Sequence, residues 1–276
     1  MTMQGGVNYH LTPKVNFKVA PVLYYYTRFN NGQNPGASGT GYSPDFAGTY
    51  VGQGSRFGVN GTPAYYNLAN PGFDGFYANE TGINKLLVLE VPFEVDVKLD
   101  KFKLRFFGDY AQNLQGADRA KEAYNAANSF YFSASGPGGG AIDPISSPQT
   151  RDIHAYQIGF GIGSTNLDYG PMQGAVYGNS LHRHAWELRT YWQRIEQYAL
   201  DPNLTDSDLF EGRENMQGIY VALAYCFSEN IYGVVRYGYA SRINNNLGTG
   251  GSNGDIPQMN PMDSFNLFQL DLGIKF

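Results

Sequence analysis

The chain has a single cysteine, Cys226, so it can build neither a disulfide framework nor a thiolate metal centre. Cys226 shares strand parity with Ala222 and Ala224 and reads as a small filler. No run of 18 or more apolar residues occurs, which excludes helical membrane spans. Charge is also scarce, at 16% Asp, Glu, Lys and Arg, against about 25% in ordinary soluble domains. The net charge is -5, the pI is near 5.3, and Lys and Arg form no cluster, so a nucleic-acid partner is not expected. Met1-Thr-Met-Gln-Gly-Gly-Val-Asn-Tyr9 has neither a basic leader nor an apolar core, so no export signal is visible.

What the chain does have is 35 Gly, 22 Tyr and 18 Phe in 276 residues. Low charge with abundant Gly and aromatics suits a β-protein with long loops and aromatic girdles. The mean hydropathy of -0.37 fits a barrel, whose two strand faces average out. The last segment, residues 263–276, shows the alternation most plainly. Phe268, Leu270, Leu272, Ile274 and Phe276 share one face, and Gln269, Asp271, Gly273 and Lys275 share the other. The chain stops on the aromatic Phe276. Such a strand suits an outer-membrane barrel, with its apolar face on lipid and its polar face on a wet lumen.

The same period of two predicts eight earlier strands. They cover 5–11, 15–27, 85–98, 102–113, 152–163, 184–195, 216–227 and 231–240. Apart from the first, their lengths suit a tilted crossing of the hydrocarbon layer. Pro92 falls on a polar-face position inside the third strand and predicts a local irregularity, because it has no N–H for the ladder. The fold class expected is therefore all-β, an antiparallel transmembrane β-barrel forming one domain over 1–276.

The connections at 12–14, 99–101 and 228–230 are short, and that at 164–183 is intermediate. Those at 28–84, 114–150, 196–215 and 241–262 are long. Periplasmic turns are short and extracellular loops long in such barrels, which puts Phe276 at the periplasmic side and residue 1 outside. Nine strands is an odd count, whereas bacterial single-chain barrels carry an even one. With no export signal in view, the expectation is the C-terminal part of a larger barrel of roughly 16 strands.

A more specific pattern follows Trp186. The segment Trp186-Glu-Leu-Arg-Thr-Tyr-Trp-Gln-Arg-Ile-Glu-Gln-Tyr-Ala199 precedes Thr205-Asp-Ser-Asp-Leu-Phe-Glu-Gly-Arg-Glu-Asn-Met-Gln-Gly-Ile-Tyr-Val-Ala-Leu-Ala-Tyr225. A strand opening near Trp, a loop with Asp-Ser-Asp then Gly and Asn, and a Gly opening the next strand resemble the "putative porin" family of Gram-negative outer membranes. The match is best over 184–276, weaker over 1–113 and generic over 114–183. Leu209-Phe210-Glu211 departs from it, where a more Gly-rich run is expected. The resemblance implies a pore-forming, often oligomeric protein of the cell outer membrane.

Inward parity assigns Lys18, Glu90, Glu94, Lys103, Arg105, Asp109, Glu187, Arg189, Arg236, Asp271 and Lys275 as candidate pore-lining residues. The plainer reading is that these charges pair across neighbouring strands and hold the wall together, Glu187 with Arg189 above all. Six positive against five negative assignments predict no strong ion selectivity. Tyr25, Trp186, Trp192, Tyr237 and Tyr239 are assigned to the membrane face as girdle aromatics, and Phe276 as an assembly signal. The inward Tyr24, Tyr191 and Tyr220 are expected to fill the wall rather than stack on a sugar.

Metal chemistry is not expected. Asp201, Asp206, Asp208 and Glu211 lack EF-hand spacing and read as a solvated loop, and His182 with His184 has no third ligand in reach. No spacing singles out a catalytic set, so an enzyme is not expected, and no cofactor is implied. The function expected is passive diffusion of small hydrophilic solutes, with 28–84 the segment expected to fold inward. A non-conducting scaffold barrel with a partner in its lumen is the alternative. Expected partners are membrane lipid, the barrel-assembly machinery through the last strand, the solutes, and further copies of the chain.

Overall fold

The computed structural model describes residues 1–26, 86–121, 147–164, 183–200, 207–210, 213–245 and 263–274. These residues form one twelve-stranded sheet in which every pairing is antiparallel. The strands are β1 (Thr2–Gln4), β2 (Val7–Thr12), β3 (Val15–Val19), β4 (Val22–Tyr26), β5 (Leu86–Glu90) and β6 (Phe93–Lys98). They continue as β7 (Phe102–Asn113), β8 (His154–Ser164), β9 (Trp186–Ile195), β10 (Met216–Cys226), β11 (Ile231–Arg242) and β12 (Ser264–Ile274). The all-β, antiparallel expectation holds, and the sheet is consistent with a β-barrel.

Six of these strands are halves of three spans. The residue numbers of partners sum to 26 both for β1 with β4 and for β2 with β3 up to His10, so one register runs through Gly5 and Gly6. Likewise, β4 with β5 and β3 with β6 share the sum 112, and β5 and β6 share the sum 201 against β7. The interruptions at Ala20–Pro21 and Val91–Pro92 arise because proline has no N–H to donate. Where a donor exists the ladder continues: Gly5 N donates to Pro21 O at 3.1 Å, and Ala20 N to Pro92 O at 3.2 Å. Counted by register the sheet has nine spans, twelve strands less three joins. The irregularity expected at Pro92 is present, and the expected hairpin forms over the described residues 5–26, although its first strand begins earlier, at Thr2.

Tight turns close the short connections. Thr12 Oγ1 accepts from Lys14 N and Val15 N at 3.2 and 3.0 Å, and Leu99 N donates to Phe102 O at 2.8 Å. Phe227 N and Ser228 N both donate to Ile231 O, at 2.9 and 3.2 Å. Among the described residues the sheet is open, with β1 and β2 at one edge and β12 at the other. Nine antiparallel spans make those edges run in the same direction, so they cannot pair with each other in the antiparallel sense.

Burial is inverted with respect to a protein folded in water. Glu94, Asp96, Arg105, Glu187 and Arg236 are buried, whereas Phe106, Ile158, Leu223, Phe268, Leu270 and Leu272 are exposed, the last three by 66–70%. The pattern of β10 alternates strictly, with Ala222, Ala224 and Cys226 on the covered side and Ile219 and Leu223 on the open one. One face of the sheet is thus apolar and open, and the other is polar and covered.

Candidate functional site

The polar face is organised in rows set by cross-strand register. One row reads Asn16, Asp96, Arg105, Gly161, Arg189, Ala222, Arg236, Gln269 from β3 to β12. Three arginines share one cross-strand row, and the strands between them carry a glycine or an alanine. A Cβ at Gly161 would meet only the Leu188 carbonyl oxygen, at 3.7 Å, so the wall between Arg105 and Arg189 has room for a side chain. The β-carbons of alternate strands stand about 9.6 Å apart, twice the strand spacing, which allows long side chains to lie over the gap.

Carboxylates lie against Arg105 and Arg236. Arg105 Nε donates to Asp96 Oδ1 at 2.7 Å, and its Nη2 lies 3.2 Å from Glu94 Oε1. Lys18 Nζ joins the same cluster, 2.9 Å from Glu94 and 3.6 Å from Asp96. Arg236 Nη1 donates to Asp271. Arg189 lies across aromatic faces, 4.8 Å above the Phe107 ring and 5.4 Å above that of Tyr191. Cations held over a ring face gain from its negative quadrupole.

The adjacent row, one step toward the long connections, is aromatic. Glu94, Phe107, Gly159, Tyr191, Tyr220 and Gly238 follow each other across the strands. Phe107 meets Tyr191 edge-on at 6.4 Å, and Tyr191 stacks on Tyr220 at 4.9 Å. A Cβ at Gly159 would lie 2.6 Å from the Phe107 ring, so this glycine is what lets the ring reach across β8. Tyr191 and Tyr220 are buried against each other, which is wall filling.

That row ends under a helical turn, Ser207–Phe210. Leu209 and Phe210 are buried, and Leu209 packs on the polar face at Gly238. The segment expected to fold inward, 28–84, lies outside the described residues. Among the described residues, the segment that covers the polar face belongs to 196–215. Around it a buried polar cap fills the end of the sheet that carries the long connections. Asn113 Nδ2 donates to Tyr198 O at 2.9 Å, and Glu196 Oε2 accepts from His154 N at 2.9 Å. Asn215 adopts φ 57, a conformation asparagine tolerates better than most residues. Its side chain exchanges two hydrogen bonds with the Asn244 backbone, at 2.8 and 2.9 Å.

Lys18, Glu90, Glu94, Lys103, Arg105, Asp109, Glu187, Arg189, Arg236 and Asp271 all have polar-face parity in this register. Lys275 and Phe276 lie outside the described residues. Asp96 was missed, although it follows Glu94 by two residues and alternation alone would have found it. Tyr25, Tyr237 and Tyr239 are exposed on the apolar face. On that face, too, Trp186 meets Phe102 at 6.0 Å and Trp192 meets Tyr156 at 5.3 Å. Tyr237 lies mid-strand between Val221 and Phe268, with its hydroxyl donating to Asn266.

Two rim histidines each bond a tyrosine hydroxyl. His154 Nδ1 is 2.9 Å from Tyr110 Oη, and His184 Nδ1 is 2.7 Å from Tyr225 Oη. Among the described residues no three His, Cys, Asp or Glu converge as a metal site; His182, Asp201, Asp206 and Glu211 lie outside them.

A family model described as "Putative porin" matches residues 1–276, the whole chain. No curated protein and no solved structure matches it.

Proposed function

Given that the chain belongs to the putative porin family, we propose that it forms a water-filled channel in the cell outer membrane. Small hydrophilic solutes cross it by passive diffusion, without catalysis. The observation that carries this reading is the inverted burial: apolar residues such as Leu270 and Phe268 face outward, while the charged rows lie on the covered side. In water such an apolar face would be an aggregation liability; against lipid it is the favourable one. Apolar-face aromatics toward both strand ends, the half-buried Trp186 at one and the exposed Tyr25 and Tyr239 at the other, then sit at the two headgroup levels. The short turns lie on the periplasmic side and the capped end faces outward.

The polar face then lines the lumen, and the charges on it tune which solutes pass. Planar-bilayer recording of the detergent-purified chain tests this directly, with stepwise conductance as the expected result. A clean absence of channels from protein that has inserted would sink it. The turn Ser207–Phe210 favours a second reading, a barrel whose lumen is plugged. In that case steps would appear only once the turn is displaced.

A further inference from the structure

We propose that Tyr232 and Gly273 form a lock that selects the one register in which β12 joins β11, so that this span assembles without slipping. The lock is independent of whether the passage conducts.

The need for a lock follows from the pattern of β12. A slip by one residue would turn its apolar set to the polar face, and the alternation itself opposes that. A slip by two keeps every side chain on its own face. Phe268, Leu270, Leu272 and Ile274 recur at that interval, so one takes the place of another against Val235 or Ile231. A tight turn could settle the choice, as between β10 and β11. The link from β11 to β12 is residues 243–263, too long to impose a register.

Two polar contacts between these strands tolerate the slip. With β12 advanced by two residues, Val235 would face Leu272 in place of Leu270. Arg236 is diagonal to Asp271 and would then face it directly. Asn266, which accepts from the Tyr237 hydroxyl, would stand in the same relation to Tyr239. The ion pair of Arg242 with Asp263 would lengthen to a diagonal, but the acid is 79% exposed and such a pair is worth little.

Tyr232 is different. It faces Gly273, and a Cβ there would fall within its ring, 2.6 Å from the hydroxyl oxygen. The ring therefore lies across β12 in space that only glycine leaves. Such a ring covers backbone that the glycine would otherwise leave bare. After the slip Tyr232 would face Lys275, and Gly273 would stand opposite Val234 with nothing over it. The same construction, Phe107 across Gly159, joins β7 to β8, which are also linked by a long connection. A slip would carry Asp271 and the edge of β12 about 6.8 Å along the sheet, two residues of strand rise.

Cysteine pairs read the register in the full chain folded into vesicles, in a Cys226→Ala background. Val235→Cys with Leu270→Cys reports the native register, and Val235→Cys with Leu272→Cys the slipped one, because only residues directly opposite come within disulfide reach. The native chain should give the first crosslink and only background of the second. Tyr232→Ala, which adds no bulk, should raise the second roughly fivefold. Gly273→Val, which evicts the ring, should raise it further. Exchanging the pair, Tyr232→Gly with Gly273→Tyr, should return it to background, which a general loss of stability would not do. A background level of the second crosslink in either single variant, read in the folded fraction, would overturn the lock. So would its appearance in the native chain at the level of the first.

Discussion

Leu209 Cδ1 lies 2.7 Å from where a Cβ would stand on Gly238. The helical turn Ser207–Phe210 rests on the polar face because β11 offers no side chain at that point. Gly238→Leu should expel the turn and forfeit the burial of Leu209, worth about 2 kcal/mol. A lower unfolding midpoint together with a larger unit conductance is the expected pair. Lost stability with unchanged conductance would mean that the turn does not narrow the passage.

Arg105 and Lys18 share two carboxylates but differ in exposure, at 6% and 37% of their side chains. Arg105→Ala should cost about 3–5 kcal/mol, because it strands buried charge on Glu94 and Asp96. Lys18→Ala should cost about 1 kcal/mol or less, since water reaches that ion pair. Urea unfolding of the two variants in the same detergent measures the contrast, and equal losses would refute it.

Leu270 and Gln269 are neighbours on opposite faces of β12, both exposed. In water, charge on either would be nearly neutral. Against lipid, Leu270→Arg should cost about 2–4 kcal/mol if it sits near the bilayer midplane, and Gln269→Arg about 0.5 kcal/mol or less. Folding yields into vesicles supply the test, and an identical outcome for both would argue against a lipid-facing surface.

Asp152 sits outside the spans, in the buried cap. Desolvation raises its carboxyl above the ordinary range and Glu196 pushes the same way, while the hydrogen bond from Asn244 Nδ2 and the charge of Arg194 oppose them. A raised acid favours the folded state when protonated. Its contribution is full below the ordinary carboxylate pKa and is lost as pH rises through the raised one. Asp152→Asn keeps an acceptor for Asn244 and never ionises. It should therefore be more stable than the native chain at pH 8 and close to it at pH 4, read as melting temperature. A variant less stable at pH 8 would reverse the sign.

All nine spans were legible because period-two alternation survives wherever one face meets an apolar surroundings and the other a polar one. Pro92 was legible for a local reason, its missing donor. The arginine row was not, because Arg105, Arg189 and Arg236 belong to three spans whose mutual register depends on the turns between them. Each arginine could be assigned a face, but none could be assigned a level. The inward expectation for 28–84 rested on length alone, and that segment lies outside the described residues. A covering turn at Leu209-Phe210 had a signal of its own, two apolar residues in an acidic loop that departs from the family pattern; both are buried.

The prolines at 21 and 92 and the glycines at 5 and 6 line up across the first three spans, whereas β7 runs unbroken from Phe102 to Asn113 beside them. Each proline removes one donor along this line, and the line stops at a continuous member, so it forms a seam thinned of cross-links. Amide exchange should therefore be fastest along this seam and slow at β7, where the ladder to β8 is unbroken from Phe102 to Gln112.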